Sequence, residues 1–270
     1  MTGNVVHQTT ADAPAQGPAQ VELSIVVPAF NEQDNVDALV EQVRFAVLGA
    51  GIAAELIVVD DGSTDDTAAR VAALADDRPW LRVLRQGRRL GQSAAMYRGI
   101  QAARGRYLAT LDADLQNDPA DLPAMLALLH AGEADMVQGD RSANRRDNVV
   151  RRVASVVGRK ARRWILADPT RDTGCSTRVL RTDDARRFPL YLHGMHRFLP
   201  ACARMYGLRV VERPVHHRRR HAGQTKYGLG VMSRAVSGLC DCLAVRWMRH
   251  RYREVPRETR DAPIEQGTGR

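Results

Sequence analysis

At 270 residues and 44% hydrophobic content, the chain is long enough to bury one sizeable core, and a single domain is expected. The formal net charge of +9 comes mostly from arginines within 141–163 and 209–220; such a field favours polyanions or an anionic membrane surface, although a merely soluble basic surface gives the same sum. Aromatic content of only 5% argues against a nucleic-acid-binding protein, which needs stacking platforms among its basic residues, and the apolar runs fall short of the roughly 18 residues that cross a bilayer.

Four cysteines, Cys175, Cys202, Cys240 and Cys242, form neither a disulfide framework nor a zinc-ribbon spacing, and suit free thiols in a reducing cytoplasm. Residues 1–20 have neither a basic start nor an apolar core, so they read as a disordered tail and not as a signal or anchor.

In chain order, Val21–Pro28 is a short β-branched run and the first buried strand. Val36, Leu39, Val40, Val43 and Val47 follow at helical spacing and stop at Gly49 and Gly51. Glu55–Asp60 is a second strand, turned by Asp61-Gly62-Ser63-Thr64 into a helix over Thr67–Ala75. A third strand, Leu81–Leu84, leads through a glycine-containing loop into a helix over Gln92–Ala103, and a fourth begins at Tyr107. Strands alternating with helices at this rhythm predict right-handed βαβ units and an α/β fold with a mainly parallel sheet flanked by helices. Each strand ends in polar residues, and in an open α/β sheet those ends line one crevice. Neither GxGxxG after the first strand nor GxxxxGK[ST] anywhere is present, so a nucleotide would be held through metal and acids and not through a glycine cradle.

The fourth strand runs into Asp112, Asp114 and Gln116, which share one face if the extended chain continues that far. Two carboxylates so close repel unless a cation sits between them, and oxygen ligation suits Mg²⁺ or Mn²⁺; a solvated loop is the plainer alternative. Asp118-Pro119-Ala120-Asp121 instead has the pattern of a helix start, with Asp118 as N-cap. Further strands are expected at Ala134–Gly139, Cys175–Leu180 and Leu208–Val215, with helices at Val149–Leu166 and Arg197–Tyr206. A basic loop, 216–227, has the makings of an anion-binding flap.

Taken together, Val27-Pro28-Ala29-Phe30-Asn31-Glu32, Val59-Asp60-Asp61-Gly62-Ser63-Thr64-Asp65, Leu111-Asp112-Ala113-Asp114-Leu115-Gln116, Gly139-Asp140-Arg141, Asp172-Thr173-Gly174-Cys175, His193 to Pro200 and Gly223-Gln224-Thr225-Lys226-Tyr227 form an ordered set. The chain resembles the family-2 glycosyltransferases of GT-A fold, in their dolichyl- or polyprenyl-phosphate mannosyltransferase-like branch, from about Val21 to Arg251. It departs from them in lacking transmembrane helices after the Lys-Tyr loop, in carrying Arg89 where asparagine is frequent, and in carrying Thr225 where serine is usual.

The resemblance implies a GT-A domain over 21–228 and inverting transfer of a sugar from a nucleotide-diphosphate sugar. Asp112, Asp114 and Gln116 would hold the metal, Pro28, Ala29, Phe30, Glu32, Asp60, Asp61 and Asp112 would contact the donor, and Lys226 would place a charge over its phosphates. A lipid phosphate arrives already ionised, whereas a hydroxyl needs a base; Arg197 and Arg141 could bind a phosphate but not act as base. A polyprenyl-phosphate acceptor is therefore expected, with His196 as base for a hydroxyl acceptor the alternative. Over 229–252, Leu229, Met232, Val236, Leu239, Leu243 and Trp247 recur at helical spacing among arginines, the pattern of an interfacial amphipathic helix or of one packed on the enzyme itself. The protein is thus expected in the cytoplasm, peripheral at the inner face of the membrane, with a second disordered tail over 253–270.

Overall fold

The computed structural model describes residues 20–142, 162–218 and 231–253, with the side chains of 231–237 left out. The sequence expectations for the 216–227 loop beyond residue 218, for most of Val149–Leu166 and for both tails lie outside the described residues.

Seven strands form one sheet: β1 (Leu23–Ala29), β2 (Ala54–Asp60), β3 (Leu81–Arg85), β4 (Tyr107–Thr110), β5 (Met136–Asp140), β6 (Arg178–Arg181) and β7 (Val210–Pro214). Their order is β3-β2-β1-β4-β6-β5-β7. Pairings are parallel except those of β6, which runs antiparallel between β4 and β5. The order reverses between β1 and β4: the chain steps outward from β1 to β2 and β3, then returns to the other side of β1. Ligands of open α/β sheets bind at such a switch point, outside the carboxyl ends of the strands.

The central strands are apolar on both faces because helices cover both. Leu23, Ile25 and Val27 of β1 and Leu56 and Val58 of β2 pack with α1 (Val36–Val43), α2 (Thr67–Ala75) and α4 (Leu122–His130). Val26, Ile57 and Val59 turn to the opposite face. There they meet α3 (Gln92–Ala102), α7 (Leu199–Met205) and α8 (Val231–Arg251), together with a short helix α5 at 162–166 and α6 (Thr182–Ala185). Fully burying each such side chain contributes about 1.5–3 kcal/mol. Helix α3 lies so close to the sheet that a Cβ on Gly99 would run into Val26 Cγ1 and stand 3.0 Å from Val59 Cγ2.

One buried charge is built into this frame. Glu55 accepts from Ser24 Oγ at 2.7 Å, Arg82 Nη1 at 2.8 Å and the Arg104 backbone N–H at 2.7 Å. Burial pushes its carboxyl up, but these donors together hold it below the usual range.

Candidate active site

At the switch point the β1–α1 and β2–α2 loops are laced together. Asn31, at φ +53°, donates its backbone N–H to Ser63 Oγ at 3.0 Å and its side-chain N–H to Thr64 Oγ1 at 3.1 Å, while Glu32 N–H bonds Thr67 Oγ1 at 2.8 Å. Asn31 thus ties the two loops together, while Asn35 precedes α1 and gives its Nδ2 to Glu32 at 2.7 Å. Asp60 and Asp61 are buried and their carboxylates already serve backbone donors: Asp60 takes Ser63 N–H at 3.1 Å, and Asp61 takes Leu90 N–H at 2.7 Å and Gly91 N–H at 2.9 Å. Asp61 thus anchors the residue that opens α3. Next to Asp61, Gly62, at φ +72°, lies where a Cβ would stand 2.6 Å from the Arg88 carbonyl carbon, so only glycine lets the β2–α2 loop approach the loop that leads into α3. Phe30, just past Ala29 and Pro28 at the end of β1, lies under the Arg89 guanidinium at 4.0 Å.

The strand does not carry the carboxylates as the alternating pattern predicts. β4 ends at Thr110, and residues 112–115 form a turn in which Leu115 takes φ +60°. The turn, not a shared strand face, sets Asp112 and Asp114 near each other. Asp114 is 8% exposed and accepts the Gln116 backbone N–H at 3.2 Å. Burial first, and then the charge of Asp114, push the Asp112 carboxyl above the usual range, against the Ser176 hydroxyl and the cations Arg141 and Arg178, which pull it down. Among the described residues no three His, Cys, Asp or Glu side chains are grouped closely enough to hold a metal by themselves. Two carboxylates whose charges oppose each other are nevertheless the donor set through which Mg²⁺-type ions are held together with substrate phosphates.

The amino end of α3 closes the crevice from the other side. Gln92 Nε2 donates to Asp112 Oδ1 at 2.9 Å. The next residue, Ser93, places its hydroxyl 2.8 Å from His196 Nδ1 and accepts the His196 backbone N–H at 3.2 Å. His196 sits on a 3₁₀ turn, Met195–Phe198, that precedes α7 and takes in Arg197 and Phe198, the first residues of the helix expected over Arg197–Tyr206. Burial, with Arg178, Arg197 and His193 nearby, drives its imidazole down to about 3, so it is neutral at physiological pH.

The two arginines expected to meet a phosphate have protein partners. Arg141 makes a fork with Asp172, Nε to Oδ2 at 2.8 Å and Nη2 to Oδ1 at 3.2 Å. Arg197 is exposed and gives Nη2 to Asp241 of α8 at 3.1 Å. Beside Arg141, the second cation that acts on Asp112 is Arg178, 2% exposed, which donates Nε to Gln138 Oε1 at 2.8 Å and Nη2 to the Thr173 carbonyl at 3.1 Å. It stands on the same rung as Thr110 and Gln138 of the neighbouring strands. Gln92, Ser93, Ser176 and Arg178 escaped the sequence reading; only Arg178 left a signal, a charge in an apolar strand that had to be buried.

The root of the basic loop is tied to the carboxylate turn. The Arg218 backbone N–H bonds the Gln116 carbonyl at 2.8 Å, its guanidinium pairs with Asp118, and His216 Nδ1 lies 2.8 Å from Asp121 Oδ1. Asp118 does cap the following turn, accepting Ala120 N–H at 3.0 Å, but it has this second duty. Lys226 lies outside the described residues.

A parallel sheet with one antiparallel strand, a switch point between β1 and β4, and acids at the carboxyl ends of both define a fold of the GT-A type. Residues 24–189 match the glycosyl transferase family 2 domain, and the chain belongs to that family of glycosyltransferases. Dodecaprenyl-phosphate galacturonate synthase of Rhizobium johnstonii is 39% identical over 255 residues, 91% of this chain and 74% of the relative. Undecaprenyl-phosphate 4-deoxy-4-formamido-L-arabinose transferase of Yersinia pestis is 32% identical over 229 residues, 84% of this chain and 69% of the relative. Among solved structures, glucosyl-3-phosphoglycerate synthase from Mycobacterium tuberculosis in complex with Mn²⁺, UDP-glucose and phosphoglyceric acid matches with TM-score 0.59 at 21% identity, over 84% of this chain and 81% of that one, a likeness of fold.

Proposed function

We propose that this glycosyltransferase moves a sugar, with inversion, from a nucleotide-diphosphate sugar to a polyprenyl phosphate, and that it works in the cytoplasm at an anionic membrane surface. Two relatives whose names specify a prenyl-phosphate acceptor, at 39% and 32% identity, support the acceptor class. The observation that carries the choice between acceptors is His196. An imidazole held down to about 3 has too little basicity to take a proton from a sugar hydroxyl, whereas a phosphate monoester, with a second pKa of roughly 6, brings its own anionic oxygen.

Asp112 and Asp114, with Gln116 beside them, would hold Mg²⁺ or Mn²⁺. When bound, the ion neutralises charge that builds on the departing diphosphate. The rest of the chemistry belongs to the chain. Gln92 fixes Asp112 in place by its 2.9 Å bond, and the amino terminus of α3, whose first-turn N–H groups find no acceptor within the helix, favours anions at this end of the crevice. Phe30, Glu32, Asp60 and Asp61 line the β1 and β2 ends where the nucleoside would lie. Ser93 orients His196 so that one ring nitrogen faces Ser93 and the other is left to meet the acceptor phosphate as a donor.

The test is transfer of label from radiolabelled nucleotide sugars, with Mn²⁺, into prenyl phosphate. The expected product partitions into organic solvent and releases its sugar in mild acid. Label appearing only in soluble hydroxyl acceptors, with His196→Ala inactive and Arg197→Ala active, would overturn the reading.

A further inference from the structure

Among the described residues, eight large apolar side chains stand exposed, and six of them gather on α8 and the two segments that touch it: Trp164, Tyr191, Leu192, Leu239, Leu243 and Trp247. Cys242, Val245 and Met248 turn inward and pack on the face of the core that holds α5 and α7. Leu239, Leu243 and Trp247, spaced by four, form a separate stripe that faces outward. The apolar period of this helix therefore has two parts, one packed on the enzyme and one with no cover from the described chain. The other members of the expected stripe, Leu229, Met232 and Val236, have side chains outside those described.

The neighbours of α8 extend the patch. Arg246 donates to the Ile165 carbonyl at 2.9 Å and Arg249 to the Leu166 carbonyl at 2.8 Å, which clamps α5 against the helix and carries Trp164, 86% exposed. Earlier in α8, the Arg197–Asp241 pair at 3.1 Å holds the segment that follows Tyr191 and Leu192. Charge is supplied by Arg163, Arg246, Arg251 and Arg253, all exposed, and Arg251 stands 6.0 Å from the Trp247 ring. Between residues 238 and 253 the only acid is Asp241, already paired.

We infer that this three-part surface docks on an anionic lipid bilayer, with Trp164 and Trp247 at headgroup depth and the arginines on lipid phosphates. Tryptophan and arginine around short aliphatic side chains suit that interface, and long arginine side chains can keep their charge in the headgroup layer while their stems lie on apolar surface. A second copy of the chain fits less well, because four exposed arginines on each side would repel across a symmetric contact. The position of the patch gives it a use: the turn that holds Arg197 to α8 also holds His196 to Ser93 in the crevice, so docking brings the acceptor side of the site to the membrane. The inference rests on the lipid-acceptor reading for that use, but not for the surface itself.

The experiment is sedimentation of the intact protein with vesicles of phosphatidylglycerol in phosphatidylcholine, free of prenyl phosphate, beside a separate transfer assay on a soluble short-chain prenyl phosphate. Leu243→Glu/Trp247→Glu, and Trp164→Glu alone, should each lower vesicle partitioning about tenfold or more while leaving transfer to the soluble acceptor unchanged, and added salt should weaken binding of the parent protein. Brominated lipid should quench the parent's fluorescence, with Trp164→Phe and Trp247→Phe each removing part of the quench, a readout that needs no folding control on a charged variant. Equal sedimentation of parent and variants, equal binding to neutral vesicles, or a dimer that the double variant splits without any vesicle binding overturns the surface. Turnover of the soluble acceptor without sedimentation leaves the reaction standing and removes the docking face. Sedimentation with no transfer to any prenyl phosphate does the reverse.

Discussion

Replacing His196 by glutamine separates the two acceptor chemistries by magnitude. Among the described residues the His196 side chain makes one hydrogen bond, Nδ1 with Ser93 Oγ at 2.8 Å, while its backbone N–H keeps Ser93 in place whatever the side chain. Glutamine keeps an N–H donor to offer the acceptor phosphate, so the loss is the one bond to Ser93, which costs about 0.5–1.5 kcal/mol, roughly a two- to twelvefold fall in kcat/KM. Losing a general base costs roughly 10²–10⁴-fold. The pH profile gives a second, independent reading. Because the imidazole is depressed to about 3, it stays neutral through the working range and contributes no limb there. The rate should instead fall as pH drops through roughly 6, where the acceptor phosphate takes up its second proton, and that limb should be the same in His196→Gln. Initial rates with radiolabelled donor and short-chain prenyl phosphate, from pH 5 to 8, measure both. A hundredfold or larger loss in the variant, or disappearance of the acid limb with the histidine, would refute a non-basic His196.

Asp114→Ala should abolish metal-dependent donor binding and turnover without lowering the melting temperature of the free protein, since Asp114 lies in a turn beyond the end of β4; wild-type turnover by this variant in the presence of chelator would remove the carboxylate pair from the site. Gly99→Ala should gain about 1 kcal/mol of helix propensity but lose roughly 1–3 kcal/mol to overpacking against Val26 and Val59, a net destabilisation in denaturant that Val26→Ala should partly relieve; a more stable single variant would show that α3 can move off the sheet.

The elements that local side-chain spacing decides could be read without a structure. The alternation of strand and helix, the two-faced apolar β1 and β2, the polar residues that end each strand, and the cap at Asp118 all follow from periods of two and 3.6 and from turn chemistry, which act over a few residues. What brings those ends into one crevice does not act locally. A period of two puts Asp112 and Asp114 on one strand face, but the strand stops at Thr110 and a left-handed Leu115 makes the turn that sets them near each other; β4 meanwhile pairs antiparallel with β6, from the far half of the chain. That partner also delivers Arg178 beside Asp112. Ser93 and His196 meet across 103 residues, and Arg197 pairs with Asp241 only because α8 packs where it does. The stripe on α8 was visible in the sequence as amphipathicity; which side of it would be buried was decided by Cys242, Val245 and Met248 finding apolar partners on α5 and α7, a choice made by long-range burial that no helical period records.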